Sequence, residues 1–204
     1  MNFIQELFSQ FNTCSKVPLK NIATISSSKR IYAKDYTSKG IPFYRGKEIS
    51  LLSEGIKPDN NLFISPTKFK EINKKKPSPQ SDDILITAVG TIGNIYQVEK
   101  SVLPFYFKDG NVIAIKPKTI YSNYLFYWLK SNKGQDQIKT IMIGSTQKAL
   151  TINSISKLLI TLPSKDELKQ FNNIINPLKE QISKNKKENN TLLEFRQLLL
   201  NLYF

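Results

Sequence analysis

Histidine is absent from the 204 residues, which excludes serine–histidine and cysteine–histidine nucleophile pairs and histidine-ligated metals. The single cysteine, Cys14, can close no internal disulfide and no cysteine-rich zinc site. It reads as an inert thiol in a reducing compartment. No run of about 18 apolar residues occurs, so no membrane-spanning helix is expected. Residues 1–11 carry Glu6 and lack a basic leader, unlike a signal peptide. These absences point to a cytoplasmic protein with no metal site.

Acidic residues are also scarce, 16 against 30 Lys and Arg, for a net charge of +14. Polyanions are the partners such a surplus attracts. It is unevenly placed: residues 1–163 hold 23 basic and 11 acidic residues, and residues 164–204 hold 7 and 5. With 40% hydrophobic and 11% aromatic residues, the chain can still bury a substantial core.

The front of the chain is rich in short β-like runs. Asn21-Ile-Ala-Thr-Ile25, Ile41-Pro-Phe-Tyr-Arg45, Asp83-Ile-Leu-Ile-Thr87, Asn94-Ile-Tyr-Gln-Val98 and Asn111-Val-Ile-Ala-Ile115 each sit beside turn-forming residues. Phe3, Ile4, Leu7, Phe8 and Phe11 recur at helical spacing and predict a short docked helix. A second helix is expected over residues 122–131, with Gly134 just beyond. Residues 69–81, with Lys74-Lys75-Lys76-Pro77-Ser-Pro79, read as an exposed loop. Residues 149–162 read as a short helix or turn and then a strand stopped by Pro163.

From residue 164 the character changes. Ser164 and Glu167 form a capping-box pattern, and Asn176-Pro177 predicts a kink or restart. Leu168, Phe171, Ile175, Leu178, Ile182, Asn185, Asn189, Leu192, Leu199 and Tyr203 follow alternating spacings of three and four, a heptad seam in which Arg196 occupies one slot. The alternative is a long helix lying on its own domain. Two features favour a helix–helix interface: the terminal apolar residues are too many for one narrow stripe, and two asparagines occupy seam positions, where polar pairs fix register.

The sequence holds no complete catalytic motif of the classes its residues suggest. Gly90-Thr-Ile-Gly93 lacks the phosphate-loop ending and reads as a tight turn, whose amides and Thr91 could approach a phosphate. Asp82, Asp83, Glu99 and Lys100 lack the nuclease Glu-x-Lys geometry, because adjacent residues on a strand point to opposite faces. No glycine-rich loop after a first strand and no Asn-Pro-Pro-Tyr-like motif supports a methyltransferase centre. Basic residues do interleave with hydroxyls and aromatics in several loops: Ser27, Lys29, Arg30 and Lys34; Tyr44, Arg45 and Lys47; Lys74, Lys75 and Lys76; Ser145, Thr146, Gln147 and Lys148. Together these offer phosphate-neutralising charge beside groups able to read base edges, with Arg30, Arg45 and Gln147 as base readers.

Four ordered segments resemble the specificity subunit of type I restriction-modification systems. They are Val17-Pro-Leu-Lys-Asn-Ile-Ala-Thr-Ile25, Gly40-Ile-Pro-Phe-Tyr-Arg-Gly-Lys-Glu-Ile49, Asp82-Asp-Ile-Leu-Ile-Thr-Ala-Val-Gly-Thr-Ile-Gly93, and Gly144-Ser-Thr-Gln147 with the run into Pro163. The first resembles the opening strand of the family's recognition domain. Asp82 stands where the family usually has Gly, and residues 165–170 match its next motif only loosely. The resemblance implies an α+β fold: a mixed α/β target-recognition domain (residues 1–163) with a curved, mainly antiparallel sheet, then a long coiled-coil-type helix (residues 164–204) with a break near Pro177. It implies a non-catalytic subunit that binds double-stranded DNA and directs modification and restriction subunits, whose S-adenosylmethionine, ATP and Mg²⁺ belong to those partners and not to this chain. Family members usually carry two recognition domains and two helices. One of each here implies a homodimer through Leu178, Ile182, Asn185, Asn189, Leu192 and Leu199, reading a bipartite site. The alternative is a freestanding dimeric DNA-binding regulator or decoy without enzymatic partners.

Overall fold

A computed structural model describes residues 2–12, 14–59, 62–145 and 147–203; Thr146 and the side chain of Cys14 lie outside the described residues. The chain divides into two compact units, Met1–Ser164 and Lys165–Phe204. The first runs α1 (Asn2–Ser9), β1 (Cys14–Pro18), β2 (Ala23–Ser26), β3 (Tyr36–Thr37), β4 (Ile41–Tyr44), α2 (Gly46–Ser53), β5 (Phe63–Ile64), α3 (Pro66–Lys75), β6 (Ile84–Thr87), β7 (Ile95–Gln97), β8 (Tyr106–Phe107), β9 (Val112–Pro117), α4 (Ser122–Lys130), α5 (Asn132–Thr140), α6 (Ile152–Ser156) and β10 (Leu159–Pro163). The second is the helix α7 (Lys165–Tyr203). The fold is therefore α+β with mainly antiparallel strands and a long C-terminal helix.

The strands divide among three sheets. One is antiparallel, in the order β2-β9-β6-β7; a second has the order β3-β5-β4-β8, with β4 and β8 parallel; β1 pairs with β10 alone. Every residue of β6, Ile84 to Thr87, is buried, as expected of an unbroken apolar run in a strand covered on both faces. On one face Leu85, Tyr96 and Ala114 lie in register and join a core with Ile49 of α2, Tyr44 and Phe105. Gln97 follows Tyr96 and so points to the opposite face, where its Nε2 donates to Ser122 Oγ at 3.0 Å at the start of α4. Leu125, Trp128 and Leu129 of α4 are buried. Each fully buried side chain of this size contributes about 1.5–3 kcal/mol. At the amino terminus, Phe8 and Phe11 place their rings 5.1 and 5.8 Å from that of Tyr124, which docks the predicted short helix.

Three expectations need correction. The 17–25 segment is not one opening strand: a 3₁₀ turn at Leu19–Asn21 splits it, sending β1 to β10 and β2 to β9. The 69–81 segment is not wholly loop. Ser65 Oγ accepts from Lys68 N at 3.1 Å, Pro66 takes the first helical position, and Ile72 is buried, so α3 carries Lys74 and Lys75 in its last turn, where cations suit the helix dipole. Gly134 lies just beyond α4 as expected, inside α5, where a Cβ would meet Trp128 O at 2.1 Å. Finally, α7 continues through Pro177 as one element, with no restart.

Within α7 the seam is uneven. Leu168, Phe171 and Ile175 are buried, whereas Leu178, Ile182, Leu192 and Leu199 are 45%, 51%, 63% and 41% exposed. Asn185 and Asn189 are exposed as well, and Asn185 Oδ1 accepts from Gln181 Nε2 one turn earlier at 2.8 Å. Among the described residues, no helix is long and apolar enough to cross a membrane.

Candidate nucleic-acid interface

Strand direction gathers the candidate loops on one edge of the first unit. In the antiparallel sheet, β2 and β6 end where β9 begins, through the pairs Ser26↔Ala114 and Thr87↔Val112. In the second sheet the parallel strands β4 and β8 end together at Tyr44↔Phe107, and Lys108 N donates to Tyr44 O at 2.8 Å. Ala88 N donates to Asn111 O at 2.8 Å. The bare Cα of Gly46 faces the same place, with Val89 O and Asn111 O 3.8 and 3.9 Å from where a Cβ would stand. The 45–47, 88–94 and 108–111 segments are thus neighbours despite their separation in sequence.

Two further segments join them. Ile143 and Ala149 exchange backbone hydrogen bonds of 2.9 and 2.8 Å, closing the 144–148 loop, and Leu150 N donates to Ala88 O at 2.9 Å. Gly144 is required at the neck: its φ is +101°, and a Cβ would lie 2.3 Å from Gln147 O. On the other side, Arg30 Nε donates to Asp109 Oδ2 at 3.0 Å. Lys76 Nζ donates to Ser27 O at 3.2 Å, and Tyr106 Oη accepts from Lys29 N at 2.8 Å and donates to Lys76 O at 3.4 Å. A single buried tyrosine therefore holds the 26–30 loop to the end of α3.

The candidate side chains are mostly outward. Lys29, Arg30, Arg45, Lys47, Lys74, Lys75, Lys76, Thr91, Ser145, Gln147 and Lys148 are exposed. Ser27 is half-buried, and its Oγ has no protein partner. Lys34 is exposed on a separate 3₁₀ turn, Ala33–Asp35, whose Asp35 pairs with Lys68 at 3.8 Å. Tyr44 is a correction: only 6% of it is exposed, and its ring lies 4.9 Å from that of Phe105. It packs the core while its neighbour Arg45 turns outward.

Arg45 is held unusually well for a surface arginine. Glu48 Oε1 accepts from Nη2 at 2.8 Å, and Oε2 accepts from Nε at 3.2 Å and from the Arg45 backbone nitrogen at 2.8 Å. The last bond satisfies a donor at the start of α2, so one carboxylate serves both cap and guanidinium. Burial alone would push the Glu48 carboxyl up, but the hydrogen bonds from Arg45 outweigh it and hold the group below the usual glutamate range. Its hydrogen bond to Glu48 raises the Arg45 guanidinium in turn, as Asp109 raises that of Arg30. Beside Arg45 opens a cleft of about 570 Å³ lined by Lys47, Ser50, Glu54, Thr91 and Asn111 among others.

Several positioning residues escaped the sequence reading. Glu48 was signalled by its place three residues after Arg45 at a helix start. Gln135 pins the 88–94 loop by donating to Gly93 O at 3.1 Å and Leu129 O at 2.8 Å. It, Asp109 and Tyr106 act across 42 to 79 residues of sequence and left no local signal.

The sequence model described as "Type I restriction modification DNA specificity domain" matches residues 13–194. A Haemophilus influenzae protein provisionally named a type I restriction enzyme specificity subunit is 31% identical over 198 residues, 91% of this chain and 47% of that protein. The MjaIX specificity subunit of Methanocaldococcus jannaschii is 25% identical over 162 residues, 78% of this chain and 36% of that one. Among solved structures, a type I restriction-modification S subunit from M. genitalium superposes with a TM-score of 0.60 at 18% identity, covering 98% of this chain and 48% of that one. The HsdS subunit of Thermoanaerobacter tengcongensis gives 0.57 at 16% identity, covering 90% and 44%. The chain spans about half or less of the length of these relatives.

Proposed function

This chain belongs to the family of type I restriction-modification DNA specificity domains, and we propose that it is the non-catalytic, DNA-reading part of a methyltransferase or restriction complex in the cytoplasm. The observation that carries this reading is the convergence of exposed Lys29, Arg30, Arg45, Lys47, Lys76 and Gln147 on loops tied together at one edge of a rigid sheet core. Lysines there neutralise phosphates and set register on the duplex, while Arg and Gln hydrogen-bond base edges. The chemistry of methyl transfer and cleavage falls to partner subunits that bring their own S-adenosylmethionine, ATP and Mg²⁺.

One such unit reads only a few base pairs, too few to single out sites in a genome. The exposed seam of α7, from Leu178 to Leu199, supports pairing of two copies, with Asn185 and Asn189 setting register. A symmetric pair demands two inverted half-sites. The helix beyond Pro177, roughly 40 Å long at 1.5 Å per residue, sets a separation on the order of one turn of DNA. The direct test is methylation sequencing of cells carrying this gene with a modification subunit. An inverted bipartite motif that disappears with the gene is the expected result. No gene-dependent motif would overturn the reading, and a motif with unlike halves would replace the homodimer by pairing with a different helix.

A further inference from the structure

Arg45 is arranged to present only one edge of its guanidinium. That group has five N–H donors in a planar fork. Glu48 occupies the side made by Nε and Nη2, at 3.2 and 2.8 Å, and does so from a nearly closed position, its side chain 5% exposed against 44% for Arg45. The remaining edge, formed by Nη1 and the second hydrogen of Nη2, offers two parallel donors. The cleft that Arg45 helps to line also holds Lys47, Glu54, Thr91 and Asn111. That mixture of charges suits the edge of a base better than a phosphate, which Glu54 would repel. Two parallel donors from one arginine match O6 and N7 of guanine in the major groove.

Resting on the DNA-reading function proposed above, we infer that Arg45 reads a guanine through its free edge and that Glu48 is the residue that positions it. Glu48 restricts the arginine rotamers before DNA arrives, so less freedom is lost on binding. It also excludes the side-on approach, so a guanine is met end-on. Arg30 is held more loosely, by one bond from Asp109 at 3.0 Å with 66% of its side chain exposed.

The test uses the full chain and a pool of DNA duplexes with a randomised core, recovering and sequencing bound molecules for each variant. Wild type enriches a motif containing a guanine at one fixed position. R45A and E48Q both lower the preference for that guanine, R45A by about tenfold or more, and leave the other positions unchanged. Gln retains an acceptor for the α2 cap but cannot accept both charged donors of the fork, so E48Q separates positioning from folding. R45Q leaves Glu48 intact but offers the donor–acceptor pair that suits adenine and not guanine; it loses the guanine preference while retaining capture through the lysines, and decides the reading role should E48Q unfold. Guanine preference surviving in R45Q or R45A overturns the assignment of Arg45. An E48Q protein that weakens every position equally, or none, overturns the positioning role. A wild-type chain that enriches no motif overturns the DNA-reading function itself, a distinguishable failure.

Discussion

The hydroxyl of Tyr106 accepts a hydrogen bond from the backbone nitrogen of Lys29 at 2.8 Å, across 77 residues of sequence. The ring is fully buried beside Phe43, Ile64 and Ile72, so the basic 26–30 loop is anchored in the core. The Tyr106→Phe variant leaves the Lys29 amide without this partner and should cost about 1–2 kcal/mol of stability. Denaturant titration measures the loss. Hydrogen exchange should localise it to the 26–30 loop and the end of α3; unchanged exchange at Lys29 would refute the anchor.

Asp82 holds a φ of +68°, a left-handed conformation that L residues with a Cβ adopt at a cost. The family resemblance already placed Gly at this position, and the backbone explains why: Asp82 N donates to Val98 O and Asp82 O accepts from Ser122 Oγ, both bonds requiring this turn. Asp82→Gly should raise stability by about 0.5–1 kcal/mol, read as a higher unfolding midpoint. It also removes a charge next to buried Asp83, whose carboxyl burial already pushes up. A lower midpoint would show that the Asp82 side chain contributes more than its backbone strain costs.

Replacing Lys74, Lys75 and Lys76 with Ala should weaken binding equally on all duplexes and reduce the magnitude of the salt slope by up to about 2–3. Gln147→Ala should instead erode preference at one base pair, by about 1–3 kcal/mol. Binding isotherms at several salt concentrations, on selected and scrambled duplexes, separate the two effects. Equal losses from Gln147→Ala on both duplexes would remove it as a base reader.

The Glu48–Arg45 pair makes stability depend on pH in a defined direction. A carboxyl held below its ordinary value contributes fully above the unfolded glutamate pKa, and that contribution fades as pH falls through the folded value. At neutral pH, E48Q should be less stable than wild type by about 1 kcal/mol, the arginine being partly solvent-screened. The difference should be full above the ordinary glutamate value of about 4.5 and shrink as pH falls below it, through the lowered folded value. Asp83, raised by burial, acts in the opposite sense and cancels when the two proteins are compared. A difference independent of pH would show that ionisation of Glu48 is not what stabilises the pair.

Charged substitutions at Leu192 and Leu199, 63% and 41% exposed, should yield monomers if α7 pairs with a second copy. Sedimentation at micromolar concentration near physiological salt, where the Debye length is about 8 Å, keeps repulsion between basic copies from obscuring the result. A monomeric wild type would end the homodimer proposal.

The strands were legible because β-branched and aromatic runs in this chain coincide with the sheet: all four residues of Ile84–Thr87 are buried. The helix α3 was obscured by its own Lys74-Lys75-Lys76 and the prolines after it, although Ser65-Pro66 is a standard helix opening. Tyr44 was misplaced because adjacency to Arg45 suggested a shared surface, whereas β4 ends there and the chain turns into α2. The basic loops were visible as loops, but their assembly was not. Arg30–Asp109 and Tyr106–Lys29 depend on strand order and direction, which no local pattern encodes.

The pairing of β1 with β10 has a mechanical consequence. Cys14 lies opposite Pro163 and Pro18 opposite Leu159, so the chain enters β1 and leaves β10 at the same end of one antiparallel ribbon. Tension applied through those two points loads the hydrogen bonds one after another instead of shearing them together. The ribbon is a zipper and would part at low force, whereas the sheet carrying the basic loops hangs from neither end. Strain arriving along the chain can therefore be absorbed at the seam before it reaches Arg45.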